Sequence, residues 1–304
     1  MLLGLLSLSK RPLMEEIMRL TSILSLLLMT ILCFDFAQQP LSSCEAAKDR
    51  YIEIATFNIE HLTTNGKNIK QIARVIKDLG LDVVGIEEIE EVAALEKLVG
   101  YLDGFKYKIT SGNAPIHVGI IYNSSTIDVS QTRQITSLTL NKPKMLRPGL
   151  SIRAKVKPNG FDFTMAVVHL KSKGGGREEE TDLYRRQQIQ CLSDWMDKEL
   201  RANPKERDII IVGDFNESLE RAPFAPLISR KDVKVLTGDL PPINISYIGK
   251  KGKRRYQSLI DHIILYKGKG GALEEYKAGS ISLLKDYSRK YPDYDTPMPP
   301  DGIT

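Results

Sequence analysis

The stretch IIIVGDFNES, residues 209–218, runs four apolar residues straight into Gly213, Asp214 and Asn216. Four branched aliphatic side chains in a row read as a strand buried on both faces. Such a strand, stopping in Gly-Asp-Phe-Asn, delivers a carboxylate and an amide to one point at its end. A rigid sheet fixes such groups while the loop after it leaves them open to a partner.

The same pattern recurs along the chain. YIEIATFNIE (residues 51–60) closes in Asn58 and Glu60, and LDVVGIEEI (81–89) closes in Glu88. FDFTMAVVHL (161–170) ends at His169, and Asp261 interrupts YQSLIDHIIL (256–265). HVGIIYN and LSIRAKV add further strands. INISYIG and RRYQSLIDHIILY form a hairpin-like pair. Ile69, Ile72, Ala73, Ile76 and Leu79 fall at helical spacing, with Gly80 placed to stop that helix. A longer helix is predicted over about 178–200, with Ile189, Leu192, Met196 and Leu200 on one face. Many strands and few long helices argue for two packed sheets flanked by helices, because a doubly wound parallel sheet needs a helix after nearly every strand. No repeat of solenoid length breaks the chain.

One strand-end Asp is ordinarily a turn residue or a helix cap, and one His a satisfied structural side chain. The ordered set carries more. Carboxylate and amide oxygens suit Mg²⁺ or Mn²⁺. With no CxxC and no Cys/His cluster, a structural zinc site is not expected. Neither a G-x-S-x-G elbow nor a G-x-x-x-x-G-K-[ST] loop is present, which argues against serine-elbow hydrolases and P-loop enzymes. The chemistry the set suggests is hydrolysis of a phosphate ester assisted by such a cation, with imidazole and amide donors on the phosphate and a carboxylate orienting water.

On these motifs the chain resembles the endonuclease/exonuclease/phosphatase superfamily. TFNIE resembles its first Asn motif, DVVGIEEI its metal-binding Glu motif, VVHLKSK its His motif, GDFN its most specific signature, and LIDHIIL its Asp motif. The resemblance runs from about residue 52 to 304 and implies a four-layer α/β/β/α sandwich of two packed mixed sheets. It implies Glu88 as metal ligand with Asn58 near it, and His169 and Asn216 on the scissile phosphate. Asp214 would position water or protonate the leaving group, and Asp261 would orient the base. Glu60 and His117 are weaker candidates. Pancreatic-type members pair the His motif with a Glu just before the strand equivalent to VGIIY. Here Pro115-Ile116-His117 stands there, which puts the proton-donor role of His169 in question. The family also ends in an Asp-His strand that supplies the base. This sequence stops at DGIT, so a C-terminally incomplete domain is expected, with a sheet position vacant beside Asp261. His262 follows Asp261 directly, and strand alternation aims it at the opposite face.

Composition sets milder bounds. The 304 residues carry a formal charge of +5, which favours an anionic partner without a histone-like excess. Lys171 and Lys173 in HLKSKGGG, Arg185-Arg186, and GKKGKRR (249–255) are candidate contacts to backbone phosphates. The expected substrate is accordingly DNA or RNA. The alternatives are a lipid or sugar phosphate ester, as for sphingomyelinase-like or inositol-phosphate phosphatase-like relatives, or a catalytically inactive binding domain. No obligate protein partner is implied, and a monomer is expected. Residues 20–34 form an apolar run after Arg19, too short for a spanning helix and suited to a signal-peptide core. The expected organisation is a signal peptide or anchor over 1–37, a linker over 38–50, and one domain over 51–304. The product would be exported, periplasmic or secreted, with a lipoprotein (the LSSC stretch ending at Cys44) or an N-terminal anchor as variants and membrane contact only through that segment.

Overall fold

The computed structural model describes residues 3–9, 51–158, 160–174, 177–239, 246–251, 254–271 and 276–277. In chain order the strands and helices are β1 (Leu3–Ser9), β2 (Tyr51–Leu62), α1 (Ile69–Asp78), β3 (Val83–Ile89), α2 (Val92–Gly100), β4 (Phe105–Ile109), β5 (His117–Asn123), β6 (Ile127–Ile135), β7 (Gly149–Val156), β8 (Asp162–His169), α3 (Glu178–Ala202), β9 (Ile209–Asp214), α4 (Ala225–Ile228), β10 (Val233–Val235), β11 (Tyr247–Lys251), β12 (Arg254–Ser258), β13 (Asp261–Tyr266) and β14 (Tyr276–Lys277). They form two mixed six-stranded sheets, β14-β1-β2-β3-β5-β4 and β10-β13-β9-β8-β7-β6, with β11-β12 as a separate hairpin.

Strand alternation builds three cores from this arrangement. Ile54 and Val83 meet Val167, Val212 and Ile263 between the sheets. Their chain neighbours Ala55 and Val84 turn outward under Ile72 and Ile76 of α1 and Leu95 of α2. Ala166, Val168, Ile211 and Ile264 turn outward under Ile189, Leu192 and Met196 of α3. The result is the expected α/β/β/α sandwich. Gly213 is obligatory at the end of β9, since its φ is +142° and a Cβ there would lie 2.0 Å from the Val168 carbonyl oxygen.

One reading needs correction. RRYQSLIDHIILY is two strands, β12 in the hairpin and β13 in the second sheet, broken at Leu259-Ile260. Beside β2, β1 pairs antiparallel from Leu3 opposite Phe57 to Ser9 opposite Tyr51, with β14 on its far side. β10 meets only Ile264–Tyr266 of β13, and the expected vacancy beside Asp261 concerns a stretch outside the described residues. The apolar run over 20–34, Cys44 and the C-terminal stretch from 278 lie outside the described residues. Among the described residues no helix is long and apolar enough to cross a membrane.

His262 faces away from Asp261, as alternation requires. Its Nε2 donates to the Glu217 carbonyl at 2.9 Å and its Nδ1 accepts from Thr237 Oγ1 at 2.8 Å. The rings of Phe215 and Phe224 pack edge-on against it. Burial pushes this imidazole from 6.5 down to about 4. The unfolded chain therefore binds the extra proton between those values, and stability falls as pH drops through that window. The loss is about 3 kcal/mol at about 1.4 kcal/mol per unit. Urea unfolding of the protein and of His262→Asn at pH 4 to 7.5 should show their stability difference shrinking by about that amount toward pH 4. A difference independent of pH would place the proton elsewhere.

Candidate active site

The interior parity that packs Ile54, Val167, Val212 and Ile263 also sets Asn58, His169, Asp214 and Asp261 at the same end of the sandwich. Register seals the arrangement, with Asp214 opposite His169 on one side and Asp261 on the other. Glu88 arrives differently. The pairing of β3 is bulged on both sides, and Glu88 sits at φ +60°, a left-handed conformation that turns its carboxylate in. Glu60, His61 and Asn216 also hold left-handed backbone, so much of the chain's strained conformation outside glycine gathers here.

Asn58 Nδ2 donates to Glu88 Oε1 at 3.1 Å and to Asp214 Oδ2 at 2.9 Å. Its oxygen accepts the Glu60 N–H at 2.9 Å. Expected near the metal, Asn58 thus presents an amide N–H rather than a ligand oxygen to the carboxylates and holds the two acids in place. Asn216 donates its own N–H to Asp214 Oδ1 at 2.7 Å and its Nδ2 to the Leu170 carbonyl at 3.2 Å. His169 Nε2 lies 3.8 Å from both Glu88 Oε1 and Asp214 Oδ2. Its Nδ1 meets Arg147 Nη1 at 2.8 Å. A guanidinium only donates, so Nδ1 must be the acceptor and Nε2 carries the proton. Burial first, then the Arg147 charge, holds His169 well below the ordinary histidine range.

Carboxyl groups crowd this end. Glu87 accepts from Thr56 Oγ1 at 2.7 Å, while its Oε2 and Asp261 Oδ1 are buried with no hydrogen-bond partner among the described residues. Burial pushes Asp214 up to about 6, and burial together with the Asp214 charge raises Asp261 well above its usual range. Ser246 Oγ accepts the N–H groups of Ile260 and Asp261, fixing where the β11–β12 hairpin leaves the site. Crowded, partly orphaned carboxylates are what a divalent cation stabilises, so the donor set fits such an ion. Glu88, Asp214 and His169 offer atoms within 4.8 Å of one another. The Nε2 proton removes His169 from that set and leaves Glu88 and Asp214.

Three basic residues expected to face substrate are engaged by other groups of the protein. Arg185 is 0% exposed; it donates to Glu217 Oε2 at 3.0 Å and to the Lys171 carbonyl at 3.0 Å, and it pairs with Asp182. It therefore positions loops and does not reach a ligand, which corrects the sequence reading. Lys171 Nζ folds back on the Gly174 carbonyl at 2.6 Å, and Lys173 pairs with Glu217 at 3.0 Å. Arg186 is exposed on α3. Of the weaker candidates, His117 contacts Thr110 at the start of β5, and Glu60 pairs with Lys67 at 3.5 Å. Sequence reasoning missed Arg147, Thr56, Glu87 and Ser246. The departure at Pro115-Ile116-His117 was the available signal that His169 has an unusual partner.

Residues 47–280 match the endonuclease/exonuclease/phosphatase family, and the chain belongs to that family, whose members are hydrolases of phosphate esters. The fold is similar to D. rerio TDP2 complexed with a single-strand DNA product, at 16% identity and TM-score 0.58 over 72% of this chain and 84% of that one. It is likewise similar to the Bacteroides thetaiotaomicron mannosyl-6-phosphatase Bt3783, at 16% identity and TM-score 0.57 over 71% and 85%. The human Nocturnin catalytic domain with a bound sulfate anion aligns at 16% identity and TM-score 0.54 over 71% and 82%. No curated protein sequence matches the chain.

Two outcomes test this description. Arg185→Met breaks a fully buried ion pair and should destabilise the fold by about 3–5 kcal/mol in urea unfolding. In Arg147→Met the His169 imidazole, followed by NMR titration, should move up toward 6.5, since the Arg147 charge lowers it. An unmoved His169 would mean that burial alone sets its protonation.

Proposed function

We propose that the protein hydrolyses phosphodiester bonds of DNA or RNA with the help of Mg²⁺ or Mn²⁺. The observation that carries the reading is the meeting of Asn58, Glu88, His169 and Asp214, from four strands of two sheets, at one sandwich end. When bound by Glu88 and Asp214, the cation would neutralise phosphate oxygens and the leaving oxyanion. His169 would donate its Nε2 proton to a phosphate oxygen, held in that tautomer by Arg147. Asn216, whose Nδ2 donates to the Leu170 carbonyl, would offer its second amide N–H to the phosphate. Asp214 would orient the attacking water or carry the proton to the leaving oxygen. Asp261, opposite Asp214 in register, would orient the group that takes the water's proton.

The preference for nucleic acid rests on the β11–β12 hairpin. Its register sets Lys250 opposite Arg255 and Lys251 opposite Arg254, so four basic residues share one short hairpin. A polyanion suits that concentration of basic residues, and Ser246 roots the hairpin beside Asp261. Sugar or lipid phosphate esters form the second reading, favoured by the internal pairing of Lys171, Lys173 and Arg185. The apolar run over 20–34 supports an exported enzyme.

Glu88→Gln removes an anionic ligand and should lower turnover by orders of magnitude while the fold persists, with partial recovery at high Mn²⁺. Unaltered turnover at low Mg²⁺ would take Glu88 out of the cation site. Replacing Lys250, Lys251, Arg254 and Arg255 together by Glu should cut DNA and RNA hydrolysis and flatten its salt dependence. A small chromogenic phosphodiester should be turned over as before. Equal losses on both, or full activity of the unaltered protein on sphingomyelin or a sugar phosphate alone, would favour the second reading.

A further inference from the structure

The two histidines at this end of the sandwich are set by their neighbours into opposite tautomers. His169 faces a donor, Arg147, and so keeps its proton on Nε2, the atom directed at the site. His61 faces an acceptor. Its Nδ1 hydrogen-bonds Glu90 Oε1, so the Nδ1 position carries a proton and Nε2 is the nitrogen turned toward Glu88. The Glu90 hydrogen bond and the Glu88 charge raise this imidazole above its ordinary value, and a cation at Nε2 would take the place of a proton there. That Nε2 lies 3.9 Å from Glu88 Oε2, while the His61 backbone N–H donates to the same oxygen at 3.2 Å.

We infer that His61, oriented by Glu90, is a nitrogen ligand of the divalent cation held by Glu88. Two atoms can share an ion only when their separation is below the sum of two metal–ligand bonds, about 4.2 Å for bonds near 2.1 Å. The 3.9 Å between His61 Nε2 and Glu88 Oε2 meets that limit, on the opposite oxygen of Glu88 from the Oε1 that faces His169, and outside the Glu88–His169–Asp214 group. Glu90–His61–cation is the carboxylate–histidine–metal arrangement in which an acid fixes the tautomer and turns the other nitrogen to the ion. The backbone serves the same end. His61 holds a left-handed conformation at φ +62°, which an unconstrained histidine seldom adopts, and its ring remains 62% exposed beside the 16%-exposed Glu88 carboxylate. Burial alone gives no reason to hold the ring there. An imidazole ligand makes the site more selective than an all-oxygen one, strengthening Mn²⁺ and later first-row ions relative to Mg²⁺.

The inference rests on the cation-assisted reading, and binding measurements separate the two. His61→Asn suits the test because Asn tolerates left-handed backbone. Electron spin echo envelope modulation of the Mn²⁺-loaded protein should show a directly bonded nitrogen, lost in His61→Asn and retained in His169→Gln. Calorimetry should show Mn²⁺ weakened about tenfold or more in His61→Asn and in Glu90→Gln, with Mg²⁺ changed by less than about threefold. Absence of the nitrogen signal, its survival in His61→Asn, or equal effects on both cations would overturn the assignment of His61. If Glu88→Gln binds Mn²⁺ as tightly as the unaltered protein, the cation-assisted reading itself fails.

Discussion

One buried guanidinium ties the active end together. Arg185, inside the long helix α3, bonds the Glu217 carboxylate just past Asn216 and the Lys171 carbonyl just past His169. The loops leaving β8 and β9 are thereby held at one separation, and so are the side chains that precede them. A charge this deep is tolerated only when fully paired, and it is: Glu217, Asp182, Thr181 and a backbone carbonyl take its donors. His262 adds a second tether to the same loop through the Glu217 carbonyl.

Around that clamp the backbone is strained where chemistry is expected. Left-handed residues at Glu60, His61, Glu88 and Asn216 each cost on the order of 1 kcal/mol or more, and the sheets hold them. The strain has a use. Regular alternation would send Glu87 and Glu88 to opposite faces, whereas the bulge beside β2 and β5 brings both carboxylates to one end. Asp214 and Asp261 add two more buried carboxyl groups at that end. The energetics favour either protons or a cation there, and the raised values of Asp214, Asp261 and Glu87 express the first choice when no ion is bound.

How the site divides its labour follows from hydrogen-bond partners. Arg147 and Glu90 are far apart in sequence from the histidines they set. A donor beside His169 and an acceptor beside His61 give two imidazoles opposite polarity within one cleft. Asn58, with its oxygen spoken for by Glu60 N–H, joins Glu88 to Asp214 rather than competing with them for an ion.

Period and punctuation in the sequence were enough for the layered fold. Two-residue alternation in YIEIATFNI, FDFTMAVVH and DHIILY already sorts interior from exterior, and it carries Asn58, His169, Asp214 and Asp261 to one end and His262 to the other face. GDFN was legible as one of an ordered set of polar strand ends, since a single strand-end Asp is ordinarily a turn residue or a cap. The partners were not legible. Arg147 precedes β7, Glu217 follows β9, and Arg185 lies mid-helix, and only the packing of sheet on sheet and helix on sheet decides which of them meet. A lysine or arginine reads the same in sequence whether it faces solvent or a buried carboxylate. Burial decides its role, and burial is a property of the assembled sandwich.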